Sequence, residues 1–158
     1  MEQIGGDSNL VIEYMEQLKN ENKKFDVLLV NCGLHDLRTD RETSIKQVNE
    51  EEYKSNLMKI VQLGKALSEN FRWIRTTHVD TNRHNERKTG SFRYNEDVIK
   101  YNQIADNVMK NSKVEEVDLY TFTKKLESSD MYRDHVHFKD EISEKQAKFI
   151  YENIKKLL

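Results

Sequence analysis

Three short apolar runs separate longer stretches of helical period, and that alternation decides what the chain can become. FDVLLVN (Phe25 to Asn31) carries apolar side chains on both faces, as a strand covered by helices on each side requires. RWIRTT (Arg72 to Thr77) and the weaker VEEVDL (Val114 to Leu119) are the other two runs. Between the first pair, Tyr53, Leu57, Ile60, Val61, Gly64 and Leu67 recur at helical spacing. Val98, Tyr101, Ile104, Ala105 and Val108 do the same before the third run, and Ile142, Gln146 or Ala147, Ile150, Ile154 and Leu157 after it. A first helix is expected from about Ser8 to Asn20, burying Leu10, Val11, Tyr14, Met15 and Leu18. The order helix, strand, helix, strand, helix, strand, short helix, loop, helix predicts an α/β chain with a parallel sheet and helices on both faces. No repeat, linker or low-complexity block interrupts it, so residues 1–158 read as one domain.

Charge narrows the partners. Twenty-six basic and 28 acidic residues leave a net charge of -2, and no like-charged run forms a stripe or tail. Nucleic acid and anionic membrane surfaces are therefore poor partners. A lone Cys32 excludes an intramolecular disulfide, and no Cys/His spacing resembles a zinc site; neither metal nor cofactor is expected. No apolar stretch approaches the length of a membrane span. No signal-peptide pattern is visible, which tilts the expected compartment to the cytoplasm, although the start of the chain is itself in question.

In parallel sheets ligands bind at the carboxyl ends of the strands, so the residues just after each run matter most. NCGLHDLR follows the first run: Gly33 permits a tight turn, and His35 and Asp36 sit where a sheet presents groups to a ligand. Taken alone, this is equally a polar turn. YRDHVHFKDEIS follows the third run and its short helix, with Asp134 three residues before His137. A carboxylate at that spacing can accept a hydrogen bond from the imidazole, fixing its tautomer and stabilising the imidazolium, as a triad requires. The competing readings are a turn residue at Asp134 and solvent-exposed or metal-touching histidines at His135 and His137. The polar loop after the second run carries His78, His84, Arg83, Arg87 and Arg93. Those arginines either bind a carboxylate or sugar-linked anion or decorate a solvated loop. Phe71, Trp73, Tyr94, Tyr101 and Tyr120 read as packing residues, and Cys32 as a small buried one.

GGDS, then DVLLVNCGLHD, then DHVHF, in this order and spacing, resemble the SGNH (GDSL-type) hydrolase family. SFRYNEDVIKYNQIADNVM is similar to the segment before that family's last catalytic loop, so the resemblance covers essentially the whole chain. It implies a flavodoxin-like, three-layer α/β/α sandwich and hydrolysis of small esters, often acyl groups on sugars. It also implies that His137 is the catalytic base and Asp134 its supporting carboxylate. The family's Gly-x-Asn-Asp block falls on Gly33, Leu34, His35 and Asp36. Where the family has an asparagine donating into the oxyanion hole, this chain has His35. A neutral histidine donates one hydrogen bond, so its tautomer matters.

The family has two places for a Gly-Asp-Ser sequence: the nucleophile turn after its first strand, and the following block. Three observations favour the second place for Gly6-Asp7-Ser8. Only MEQI precedes Gly5, roughly 13 Å of extended chain, half of it polar. The helix after Ser8 leads straight into FDVLLVN with no intervening strand. The tandem glycine is typical of the second block, where the glycine before Asp donates its backbone N–H to the oxyanion hole. By that register Gly6 is the oxyanion donor, Asp7 and Ser8 cap a helix, and the first strands and the attacking serine are missing; Ser8 is the alternative nucleophile. Loss of a triad serine leaves only residual catalysis. The edge of FDVLLVN would then be unpaired, inviting self-association or a piece supplied by a longer protein. The other readings are a non-catalytic binding or assembly module and, further off, a metal-dependent hydrolase using Asp134, His135 and His137.

Overall fold

Several helix starts follow the caps the sequence offers. In the computed structural model, which describes residues 6–88, 90–126 and 130–158, helix α1 spans Ser8–Asn20. Asp7 caps it, its Oδ1 accepting the N–H groups of Asn9 (3.1 Å) and Leu10 (3.2 Å). The MEQI stretch and Gly5 lie outside the described residues. Helix α2 (Glu50–Leu67) starts at Asn49, whose side chain accepts the Glu52 N–H, and Glu50, Glu51 and Glu52 meet the positive end of its dipole.

Strands β1 (Val27–Val30), β2 (Asn70–Ile74) and β3 (Glu115–Val117) form one parallel sheet in that order. Val27 lies opposite Asn70, and Arg72 opposite Glu115. The second strand starts two residues earlier than the sequence pattern and stops at Ile74 rather than Thr77. Asn102 supplies the reason: its side chain accepts the Thr76 N–H (3.0 Å) and donates to the Thr76 carbonyl (2.8 Å), taking the place of a neighbouring strand. The polar loop after β2 holds a further short helix, α3 (Thr81–Asn85), capped by Asp80 on the Arg83 N–H. Helices α4 (Asn95–Asn111), α5 (Leu119–Lys125) and α6 (Asp140–Ile154) complete the α/β fold.

Helix α2 packs against α1, α4 and β2, and its stripe of Tyr53, Leu57, Ile60, Val61 and Leu67 is buried beside Trp73, Tyr101 and Met109. Each aliphatic side chain so buried contributes about 1.5–3 kcal/mol. Gly64 allows the close approach to β2, because a Cβ there would lie 2.8 Å from the Phe71 ring. Cys32 is buried, and burial pushes its thiol pKa well up. A second, smaller cluster of Met131, Tyr132 and Ile142, with Leu126 and Phe138 against it, underlies the loop between α5 and α6.

The edge of β1 away from β2 carries no paired strand among the described residues. Val27, Leu28 and Leu29 are consequently only half-buried, where a central strand of such a sheet would be covered. Helix α1 runs beside this edge and leaves a cavity of about 150 Å³ lined by Val11, Met15 and Leu18 together with Leu28, Leu29 and Val30.

Candidate active site

Residues 131–139 fold back on themselves beyond α5. Tyr132 and Phe138 bridge and stack at 4.8 Å, the Arg133 N–H donates to the His137 carbonyl, and the Lys139 N–H donates to the Met131 carbonyl. Tyr132 Oη donates to the carbonyl of His78 (3.3 Å), tying this loop to the carboxyl end of β2. Within it, Asp134 Oδ1 accepts the backbone N–H groups of Val136 (2.8 Å) and His137 (2.7 Å). Its Oδ2 lies 2.6 Å from Nδ1 of His137. The carboxylate is thus a turn residue and a histidine partner at once. Desolvation pulls its pKa upward, but the two backbone donors and the imidazole outweigh that and hold it well below the usual carboxylate range. The His137 ring stands in solvent with its Nε2 free of any partner among the described residues. A base held in one tautomer with an open acceptor is what proton abstraction from a hydroxyl needs.

The second loop follows β1. Gly33 has φ +136°, and a Cβ there would sit 2.9 Å from Thr76 Oγ1 and 3.1 Å from Tyr53 Oη. Both hydroxyls donate to the Cys32 carbonyl, at 2.9 and 3.1 Å, so the chain turns under two fixed donors. His35 is half-buried, with its Nε2 3.4 Å from an Arg38 guanidinium nitrogen. Facing a cation, that nitrogen is the acceptor, which leaves the proton on Nδ1 as the ring's donor. Burial first, then Arg38 and Arg93, lower the His35 pKa and keep the ring neutral at pH 7.

Asp36, which the sequence placed beside His35 as a group facing a ligand, is instead turned inward and joins this loop to the start of α1. It is fully buried, and its Oδ1 accepts the Ser8 N–H at 2.8 Å. Burial raises its pKa, and the Ser8 hydrogen bonds offset part of the rise. Gly6 therefore lies two residues from a buried anchor on the Gly33–Asp36 turn. Ser8 itself is fully buried, and its hydroxyl accepts from Asn56 Nδ2 at 2.8 Å. No histidine lies within hydrogen-bond distance of that hydroxyl among the described residues.

A line of rings and guanidinium groups connects the two loops. The His137 and His135 rings are 6.3 Å apart, and His135 and His84 are 5.0 Å apart. His84 is fully buried, with its Nε2 3.1 Å from Arg87 and 3.4 Å from Arg93. Arg93 Nε donates to the Leu34 carbonyl at 2.8 Å, immediately before His35. Burial, then Arg93 and Arg87, lower the His84 pKa to about 4. The sequence had these residues in a polar loop; no periodicity announces that α3 carries His84 inward. Among the described residues, no three His, Cys, Asp or Glu side chains are grouped to hold a metal ion. No described helix is long and apolar enough to cross a membrane.

No protein-family model and no curated protein sequence matches the chain. Solved structures do. A lipase/acylhydrolase from Enterococcus faecalis is similar at 18% identity and TM-score 0.74, over 95% of this chain and 71% of that one. A GDSL-like lipase from Bacteroides thetaiotaomicron is similar at 16% identity and TM-score 0.73, over 96% and 72%. An acetylxylan esterase from Geobacillus stearothermophilus follows at 16% identity and TM-score 0.68, over 90% and 67%. At these identities the likeness concerns architecture, and roughly a third of each neighbour has no counterpart in the 158 residues. The chain has the α/β fold of the SGNH (GDSL-type) hydrolases.

Proposed function

We propose that this chain carries the base-bearing part of an SGNH-type ester hydrolase. The observation that supports it most is the Asp134–His137 contact of 2.6 Å, on a loop tied to the carboxyl end of the sheet in this fold. His137 Nε2 takes the proton of an attacking hydroxyl, and Asp134 orients the ring and stabilises the imidazolium. The Gly6 N–H and neutral His35 Nδ1–H meet the negative charge that develops on the carbonyl oxygen. The nucleophile comes from a strand laid parallel along the open edge of β1. The substrate is a small ester, an acylated sugar among the candidates, as the acetylxylan esterase neighbour suggests.

On this reading the 158 residues alone hydrolyse esters weakly. Turnover of p-nitrophenyl acetate by the chain, by Asp134→Asn and by His137→Ala tests the base. Once a serine-bearing strand peptide restores turnover, Asp134→Asn should lower the restored kcat by about two to four orders of magnitude, since the wrong tautomer is then favoured. Equal restored turnover in all three proteins would refute the assignment. Fluorophosphonate labelling lost in Ser8→Ala would instead make Ser8 the nucleophile. The burial of Ser8 favours one second reading, a non-catalytic binding module that keeps the fold. Absence of both turnover and labelling, also after addition of a serine-bearing strand peptide, would support it.

A further inference from the structure

Three arginines stand between the two candidate loops without an acidic partner. Arg38 contacts His35, Arg87 contacts His84, and Arg93 bridges His84 and the Leu34 carbonyl. No carboxylate lies within 4.0 Å of any of the three among the described residues. Elsewhere the chain pairs its arginines readily: Arg75 holds Asp106 and Asp118, and Arg72 holds Glu115. Around the three, every contact that is made goes to a neutral group. Arg87 donates to the carbonyls of His84 (3.1 Å) and Ser91 (3.4 Å). Arg41 fastens the same loop from outside, donating to the carbonyls of Gly90 (2.6 Å) and Arg87 (2.5 Å).

The two acidic groups that act on the neighbouring histidines are already engaged. Asp7 caps α1 and accepts from Gln47, and Asp134 is taken up by the Val136 and His137 donors. Arg93 is 5% exposed, and a guanidinium so buried beside two others is unfavourable by desolvation and by repulsion. The cost is visible in its pKa, brought down to about 10 by burial and by Arg38 and Arg87. The cluster nevertheless reaches the surface, because Arg38, Arg87, His35 and His135 are all half-buried and His137 is exposed.

We propose that Arg38, Arg87 and Arg93 form an oxyanion-binding subsite beside the Asp134–His137 pair, so that the ester this site takes carries a carboxylate or phosphate group. Guanidinium forks match those groups in geometry, and an anion set among them offsets the repulsion. The substrate half of the inference rests on the ester-hydrolase reading, whereas the anion site does not. A carboxylate on the acyl part and a phosphate on the alcohol part present the same chemistry to the cluster.

Calorimetric titration of the chain with inorganic phosphate and, separately, with succinate at low ionic strength tests the subsite. Binding is expected for at least one of them, and it names the preferred group. It should weaken tenfold or more in Arg87→Gln and in Arg38→Gln, and should persist in Lys145→Gln, an exposed control on α6. Arg93→Lys, checked for native circular dichroism, keeps the charge and should retain part of the affinity. No binding of either anion at millimolar concentration, or equal binding in the arginine variants, overturns the inference. Turnover separates the two readings: mono-(p-nitrophenyl) succinate should exceed p-nitrophenyl acetate tenfold in kcat/KM, with the preference lost in Arg87→Gln if the bound group is a carboxylate. Arginine-dependent anion binding with neither ester cleaved, also after addition of the serine-bearing strand peptide, would leave the subsite standing and remove the hydrolase.

Discussion

Replacing Gly33 with alanine probes the turn on which the His35 loop depends. The φ of +136° is a conformation that a side chain makes costly, by about 1–3 kcal/mol. The new Cβ would stand 2.9 Å from Thr76 Oγ1 and 3.1 Å from Tyr53 Oη. At least one of these hydroxyls must then withdraw from the Cys32 carbonyl, at a cost of about 1 kcal/mol for a buried hydrogen bond. The reduced freedom of the unfolded chain returns about 0.4–1 kcal/mol. The balance is a destabilisation of about 1–3.5 kcal/mol. With an m-value of roughly 2 kcal/mol/M in urea, the unfolding midpoint should fall by about 0.5–1.8 M with m unchanged. In a Thr76→Ala background the cost of Gly33→Ala should shrink by about 1 kcal/mol, because the nearer obstacle has gone. A midpoint within about 0.3 M of the parent, or no coupling to Thr76, would refute the argument from close approach.

Two further expectations concern other parts of the fold. Burial, together with the charge and hydrogen bond of Asp106, raises Glu116 from 4.5 to about 7, against the pull of Arg75. The folded state then holds this proton more tightly than the unfolded one, so stability falls as pH rises from about 4.5 through 7. Glu116→Gln should flatten that fall by about 1–2 kcal/mol after discounting for partial exposure, read as a difference in thermal midpoints against wild type across pH 4.5–8. The open β1 edge should drive self-association, seen as a rising mass in light scattering with concentration, and Leu29→Lys should suppress it. A wild-type chain that stays monomeric at high concentration contradicts this use of the edge.

Much of the fold was legible because period carries it. The stripe from Tyr53 to Leu67 admits one burial solution and the structure adopts it; FDVLLVN forms a strand as expected, but only over Val27–Val30 and with Val27, Leu28 and Leu29 half-buried at an open edge. The limits of β2 were not legible, because Asn102, 26 residues from Thr76, supplies the hydrogen bonds that end it. Helix α3 escaped notice for a related reason: at five residues it is too short for a period to show.

The candidate site divides along the same line. The three-residue spacing of Asp134 and His137 is local, so the sequence by itself determined that the carboxylate could reach the imidazole. The α/β order and the place of both loops after strands were likewise set by the chain. Only the tertiary structure decided that Asp36 anchors the start of α1, that Ser8 is sealed beneath Asn56, and that Arg38, Arg87 and Arg93 gather without a carboxylate. These groups meet across 28 to 59 residues of chain. Local spacing fixes which neighbours can touch. Burial and charge between distant segments depend on how the sheet and helices close around them.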